Sequence, residues 1–214
     1  MKLYSVDLSP FAARVRLAIY AKNLPVEIVP PPGDLKSAEF KSINPIGKVP
    51  ALALDDGVTL PESETIADYL ADLFPDSGLK PSDPLAGARV RLIGRLAETY
   101  VMSPGGALFA QMNPRTRDEA AVAAALETLD RGLGVVEAFM QDTPYAAGES
   151  LTLADCGLVP VLFFVGVFGS VFGKGDLLAS HPRLSAYWRS VQSDPHVSRV
   201  LKEMQEGLAK ASRR

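Results

Sequence analysis

The sequence predicts a two-domain chain: a small α/β domain followed by an all-helical one. Three observations carry this. Eleven of the 17 prolines fall within the first 84 residues, which cuts that part into short elements. Those elements follow the order βαβ–α–ββ–α, a parallel unit and then an antiparallel hairpin with a closing helix. A Pro/Ser/Asp-rich stretch from Pro75 to Pro84 has the composition of a linker, and everything after it reads as helix. The expected boundaries are 1–75 for the α/β domain, 76–84 for the linker and 85–214 for the helical domain.

Met1–Val6 is a short apolar strand closed by an Asp-Leu-Ser-Pro turn. Phe11–Lys22 is a helix with Phe11, Val15, Ala18 and Ile19 at helical spacing. Val26–Val29 is a β-rich run ended by Pro30-Pro31-Pro32-Gly33, too poor in donors for a central strand. A weaker helix is expected around Leu35–Ser42. Pro50–Leu54 and Val58–Leu60 flank Asp55-Asp56-Gly57 and read as a hairpin with Asp-Gly turn chemistry. Ser63–Phe74 closes the domain as a helix with Ile66, Leu70 and Leu73 on one face.

Beyond the linker, Leu85–Met112 is a long helix expected to bend at Ser103-Pro104-Gly105-Gly106, where a backbone donor is missing. Thr116-x-x-Glu119 has the form of a capping box before a helix with an apolar stripe of Val122, Leu126, Leu129, Leu133, Val136 and Met140. Thr152-x-x-Asp155 opens the most apolar helix, Ala154–Val171. Pro182–Gln192 and Pro195–Ala209 complete the domain.

The 214 residues are 47% hydrophobic and 22% charged, which excludes disorder and collagen-like or coiled-coil classes. A chain of this size buries about 70% of its unfolded surface. The net charge is −3. The part up to Asp83 carries −4 and the rest +1, so no nucleic-acid partner is expected. A single cysteine, Cys156, excludes an intrachain disulfide and a CxxC pair, and with only two histidines no metal site is expected. Cys156 is expected to be buried and inert. Pro160, Gly166 and Gly169 interrupt the most apolar stretch, so it reads as a core helix rather than a membrane span. Asp7 and Pro10 stand where a signal peptide needs an apolar run, and a cytoplasmic location is expected.

Three short segments, two of them at helix caps, carry chemistry a ligand can use. Ser9-Pro10 is an N-cap followed by a proline with no donor to waste. The same geometry lets the Ser9 hydroxyl donate to a sulfur anion at a positive helix end. Lys48-Val49-Pro50 precedes the hairpin. A cis Val49–Pro50 bond there would offer the Val49 backbone to an extended ligand, with Lys48 in reach of a ligand carboxylate. Glu62-Ser63 reads as an N-cap. It also reads as a site for an amino-acid head group, with the Ser hydroxyl and helix end for the carboxylate and Glu62 for the ammonium.

With these features in this order, the chain resembles the glutathione S-transferase superfamily over its whole length. The resemblance is carried by Ser9-Pro10-Phe11-Ala12-Ala13-Arg14-Val15-Arg16, Asn44-Pro45-Ile46-Gly47-Lys48-Val49-Pro50-Ala51-Leu52, Glu62-Ser63-Glu64-Thr65-Ile66-Ala67-Asp68-Tyr69-Leu70 and Ser150-Leu151-Thr152-Leu153-Ala154-Asp155. It implies a thioredoxin-like N-terminal domain and an enzyme that conjugates the glutathione thiolate to small hydrophobic electrophiles. Glutathione would be co-substrate, with no other cofactor. Isomerisation, dehalogenation or ether cleavage on the same scaffold, or a non-catalytic binding module, are the alternatives.

By resemblance Ser9 is the hydroxyl that donates to the glutathione sulfur. Val49 and Pro50 hold the cysteinyl part, Lys48 contacts the glycine carboxylate, and Glu62 and Ser63 hold the γ-glutamyl end. No cysteine occurs at 9–12, which argues against the thiol-transferring classes. Phe11 stands where the zeta class has cysteine, and Tyr4 lies within the strand rather than at its end, so the class stays open. The resemblance places a second substrate between the domains, with Phe11, Tyr100, Met102, Phe109, Met112 and Phe163, Phe164 or Phe168 as candidates, all of which core packing would also explain. It further implies a homodimer, in which Arg89, Arg91 and Arg95 could face Asp68 or Asp72 of the second copy.

Overall fold

Leu3 and Leu52 face each other on neighbouring strands and neither is exposed to solvent. In the computed structural model, which describes residues 1–213, they centre a four-stranded sheet in the order β2-β1-β3-β4. The strands are β1 (Lys2–Tyr4), β2 (Glu27–Val29), β3 (Ala51–Ala53) and β4 (Thr59–Pro61). β1 runs parallel to β2 and antiparallel to β3, and β3 pairs antiparallel with β4. This is the mixed sheet the element order predicts. β2 and β4 are its edges, which is where Pro30–Pro32 and Pro61 cost no ladder hydrogen bond. In the hairpin turn the Val58 N–H donates to Asp56 Oδ1 at 3.0 Å, and Gly57 takes φ +89°.

Between β1 and β2 runs α1 (Pro10–Lys22), capped by Ser9, whose Oγ accepts from the Ala12 N–H at 3.2 Å. The apolar spacing predicts one buried face, yet every residue from Ala12 to Ile19 is buried, Arg14 and Arg16 included. Phe11, counted with that face, is 38% exposed. The reason is tertiary: α1 packs against α3 (Ser63–Leu73) and also against α9 (Pro195–Ala211). A short α2 (Ala38–Ile43) is capped by Ser37.

The described chain divides into two compact units, Met1–Pro81 together with the segment from Asp194 on, and Ser82–Ser193. The break after Pro81 lies within the expected linker. The last helix, α9, groups with the first unit, whereas the sequence reading carried the second domain through to 214. Arg214 lies outside the described residues. Within the linker Leu79 is fully buried, and Lys80 Nζ bridges Asp68 at 3.0 Å and Asp72 at 2.5 Å.

The second unit holds α4 (Pro84–Leu96), α5 (Ser103–Ala110), α6 (Glu119–Phe139), α7 (Leu153–Val171) and α8 (Pro182–Val191). The bend expected near Pro104 takes a specific form. α4 continues through a π-helical stretch, Ala97–Met102, into α5. Pro104 cannot donate to the carbonyl four residues back, and its ring crowds that carbonyl, so the helix widens before it. α6 approaches this stretch so closely that a Cβ on Gly132 would collide with the Tyr100 carbonyl.

The expected Thr116–Glu119 capping box does not form. Asp118 is the cap instead, its Oδ1 accepting from the Ala120 and Ala121 N–H groups at 2.9 and 3.1 Å. Gln111 decides this, because its Oε1 holds the Asp118 N–H at 2.8 Å and so starts α6 two residues late. The apolar stripe on α6 is buried as expected, with Leu126 half-buried.

The Thr152–Asp155 capping box does form at the head of α7. The Asp155 carboxylate is completely buried and accepts four hydrogen bonds: from the Ala146 N–H (2.8 Å), the Thr152 N–H (2.9 Å), the Thr152 hydroxyl (3.2 Å) and the Tyr187 hydroxyl (3.0 Å). Burial pushes its pKa above the usual carboxylate range despite these donors, and burial raises the Tyr187 phenol well above its ordinary value. By length and composition α7 could cross a membrane, but 83% of its apolar window is buried inside the fold. Cys156 is buried within it.

A hydrogen bond to a charged acceptor is worth about 1.5–3 kcal/mol, so Tyr187→Phe should destabilise the protein by about that much. At about 2–4 °C per kcal/mol for a chain of this size, calorimetry should record a drop of several degrees. Thr152→Ala should cost about 0.5–2 kcal/mol through loss of the cap. If both melt like wild type, the Asp155 network does not organise the second unit.

Candidate active site

The strand register brings three separate segments to one end of the sheet. Tyr4 pairs with Ala51, and Ala51 pairs with Pro61, so these three residues form a row across β1, β3 and β4. Just beyond that row come Ser5–Ser9 after β1, Lys48–Pro50 before β3, and Glu62–Ser63 after β4. All six candidate ligand-binding residues of the first unit therefore lie past the same sheet end.

Ser9 is half-buried at the N-terminus of α1. As a cap its Oγ uses a lone pair, not its proton. The hydroxyl is still a donor, at a helix end whose dipole favours an anion. The cap reading and the thiol reading of Ser9 are thus compatible in one side chain.

Lys48-Val49-Pro50 is held by a buried asparagine. Asn44 Nδ2 donates to the Lys48 carbonyl at 2.8 Å, and Asn44 Oδ1 accepts from the Ile46 N–H at 3.2 Å. Gly47 takes φ +65°, with the Leu35 carbonyl only 2.9 Å from where a Cβ would stand. The Asn-Pro-Ile-Gly part of the motif is therefore scaffold, and the Lys-Val-Pro part is what it presents. The Val49–Pro50 peptide is cis, as expected, and the Lys48 side chain is exposed.

Glu62 and Ser63 depart from the expected cap. The cap position is Glu62, whose side chain makes no capping bond, and Ser63 is the first helical residue. Ser63 is buried and its Oγ accepts from Arg14 Nη1 at 3.0 Å. Arg14 thereby joins α1 to the head of α3 beneath the candidate site, a role the sequence reading missed. The available signal was an arginine five residues after Ser9 on a helix with few polar positions. Glu62 itself adopts φ +68° and ψ +116°, outside the ordinary left-handed well, and its side chain is exposed. Backbone strain of this kind costs about 1–3 kcal/mol and clusters at ligand sites.

The candidates for a second substrate divide. Phe11 is exposed in the first unit. In the second unit Tyr100 is 47% exposed on the π-helical stretch, while Met102 and Phe163 are buried. Phe109 packs edge-on against Phe164 and Phe168, with ring centroids 5.0 and 4.9 Å away, and Phe163 meets Phe164 at 5.4 Å. Within that unit these four rings form a packed aromatic cluster, and Met112 is half-buried.

A mixed four-stranded sheet that collects two helix N-termini and a cis-proline loop at one end, followed by a separate helical unit, defines a thioredoxin-like domain joined to an all-α domain. Comparison with known proteins agrees. The family descriptions "Glutathione S-transferase, N-terminal domain" and "Glutathione S-transferase, C-terminal domain" match residues 3–78 and 101–195. The chain is 33% identical over 211 residues to "Glutathione S-transferase F13" of Arabidopsis thaliana, covering 94% of each chain. It is 32% identical over 196 residues to a maleylacetoacetate isomerase of Pseudomonas aeruginosa, covering 85% of this chain and 92% of that one. A sphingomonad glutathione S-transferase solved in complex with glutathione superposes with a TM-score of 0.74 at 28% identity, covering 96% of this chain and 99% of that one. The chain belongs to the glutathione S-transferase superfamily.

Glycine at position 62 would relieve the strain at a backbone-entropy cost of about 0.5–1 kcal/mol. Glu62→Gly is therefore expected to melt no lower than wild type in calorimetry, whereas Glu62→Ala, which keeps the strain, gains nothing. A Glu62→Gly protein melting several degrees lower would show that Glu62 serves stability rather than a ligand.

Proposed function

We propose that this chain, as a glutathione S-transferase, activates glutathione with Ser9 and joins its sulfur to small hydrophobic electrophiles. The observation that carries the reading is the convergence of Ser9, Lys48–Pro50 and Glu62–Ser63 beyond one end of the sheet. An extended tripeptide fits that order. Its γ-glutamyl ammonium meets Glu62 and its α-carboxylate meets Ser63 and the N–H groups opening α3. The cysteinyl backbone lies along Val49 before Pro50, and the glycine carboxylate reaches Lys48.

The chemistry needs no further cofactor. The bound thiol releases its proton to solvent, and the thiolate attacks carbon. A C–S bond forms while either a leaving group departs with its electron pair or a π bond accepts the pair and is then protonated. A thiol of pKa about 8.5 is only a few per cent ionised at pH 7. Lowering that value by about two units needs about 2.7 kcal/mol of preference for the anion. A hydrogen bond from Ser9 to the thiolate, at about 1.5–3 kcal/mol, and the end of α1, at about 0.3–1 kcal/mol, together supply it. The apolar candidates Phe11 and Tyr100 are the exposed rings suited to an apolar electrophile.

A second reading rests on the isomerase relative. There glutathione would add to and leave a substrate, giving a product without sulfur. Mass spectrometry of products separates the two, because conjugation leaves glutathione in the product.

Ser9→Ala is expected to keep glutathione affinity within a few-fold and to raise the bound thiol pKa by about one to two units, followed by thiolate absorbance. An unchanged pKa and turnover would leave Ser9 as a helix cap alone.

We also propose a homodimer and a cytoplasmic location. A two-fold dimer is the commonest assembly of such chains. Arg89 and Arg91 lie exposed on α4. Asp68 and Asp72 are engaged by Lys80 of their own unit, so a dimer contact with those arginines would have to share them. Light scattering is expected to give twice the 22.9 kDa chain mass, and a stable 22.9 kDa species at micromolar concentration would refute it.

A further inference from the structure

We propose that the C-terminal helix α9 sets the position of Ser9, and that Arg16 is the positioning residue through which it acts. The inference rests on the thiol-activating role of Ser9 proposed above.

Between β1 and α1 the chain from Ser5 to Leu8 has no regular structure to hold it, yet it delivers Ser9 to its place. One guanidinium organises it. Arg16 is fully buried and donates from Nη1 to Ser5 Oγ (2.7 Å) and the Val6 carbonyl (3.0 Å), and from Nη2 to the Asp7 carbonyl (2.7 Å). Three consecutive residues are thus tied to one rigid fork. The Val6 carbonyl that Arg16 holds is also the acceptor of the Ser9 backbone N–H, at 3.1 Å. From guanidinium to Ser9 there is a single shared oxygen.

The counter-charge for Arg16 comes from α9. Glu203 Oε2 accepts from Arg16 Nε at 2.9 Å, while its Oε1 accepts from the Tyr20 hydroxyl at 3.0 Å and from Arg199 Nε at 3.3 Å. Arg199 in turn lies over the Tyr20 ring, 3.6 Å from its centroid. One turn further along, α9 presses on the same loop directly. A Cβ on Gly207 would stand 2.8 Å from the Leu8 nitrogen and 3.1 Å from its Cα, so only glycine admits this approach to the residue preceding Ser9. Lys210 meets Asp7 at 3.3 Å, an exposed pair of little weight. Helix α9 therefore braces the loop from behind, by charge at Arg16 and by contact at Leu8.

A hydrogen bond from Ser9 to a sulfur anion depends on distance and angle, and small misplacements at a reacting group cost large factors in rate. Moving the loop should weaken that bond without removing the hydroxyl. Arg16→Lys keeps the charge but cannot span three acceptors. Gly207→Ala removes no hydrogen-bonding group and pushes on Leu8; it also keeps the question answerable if Arg16→Lys fails to fold.

The experiment follows the bound glutathione thiol by absorbance against pH, with the pH profile of kcat/KM for a generic aromatic electrophile. Both variants are expected to raise the thiol pKa by about half to one unit, which from about 6.5 is a loss of thiolate at pH 7 of about one-and-a-half- to threefold. Glutathione affinity should stay within about twofold, and kcat/KM should return toward wild type above the shifted pKa. Ser9→Ala combined with Gly207→Ala should shift the pKa no further than Ser9→Ala alone, because both act through one hydroxyl. If Ser9→Ala shifts the pKa while the folded α9-linked variants leave it and the profile unchanged, α9 is a structural brace only and this inference falls alone. If Ser9→Ala itself moves nothing, the role of Ser9 falls and this inference with it.

Discussion

The pairing of β1 with β3, Leu3 opposite Leu52, determines where the candidate site of the first unit lies. Side chains on a strand alternate between faces, so a shift of β1 by one residue would turn Leu3 out of the core and offset the segments beyond the Tyr4–Ala51–Pro61 row. The strands have only three residues each, too few to hold this register by ladder hydrogen bonds alone. Burial of Leu3 and Leu52 supplies the specificity, and the site inherits its geometry from that packing.

Each unit is also organised around buried charge. In the first, Arg14 ties α1 to the head of α3 through Ser63, and Arg16 ties α1 to the preceding loop and to α9. In the second, Asp155 gathers the Ala146 loop, the head of α7 and Tyr187 of α8 into one cluster. A buried charge with every bond satisfied holds its partners in one arrangement, because breaking any bond leaves an ion uncompensated in a medium that solvates it poorly. The two clusters serve different ends. The arginines stand behind the residues proposed to bind glutathione, while the Asp155 cluster supports the apolar helix α7.

Close backbone approach is the second recurring device. Gly47 against the Leu35 carbonyl, Gly132 against Tyr100 and Gly207 against Leu8 each admit contacts that any Cβ would block. Two of the three shape segments that carry proposed function: the Lys48–Pro50 loop and the loop before Ser9. The third lets α6 seat against the widened helix that bears the exposed Tyr100. Strain at Glu62 belongs with these, as a local cost retained where a ligand contact is proposed.

The sequence by itself determined the elements and the ends at which the candidate site residues stand. Proline punctuation, the Asp-Gly turn and Ser-Pro and Thr-x-x-Asp caps are local signals, read within a few residues of the structure they produce. Tertiary structure decided what local signals leave open. Gln111 chose Asp118 over Thr116 as the cap of α6. Arg14 occupied Ser63, which local pattern makes an N-cap, and α9 joined the first unit to bury Arg16 rather than ending the helical domain. In each case the deciding partner is distant in sequence, or outside the motif, and acts by occupying a donor or acceptor that the local pattern leaves open. Helical periodicity, which registers only apolar against polar, could not show that two arginines of α1 point inward, because their burial depends on acceptors that α3, α9 and the β1–α1 loop provide only once the chain is folded.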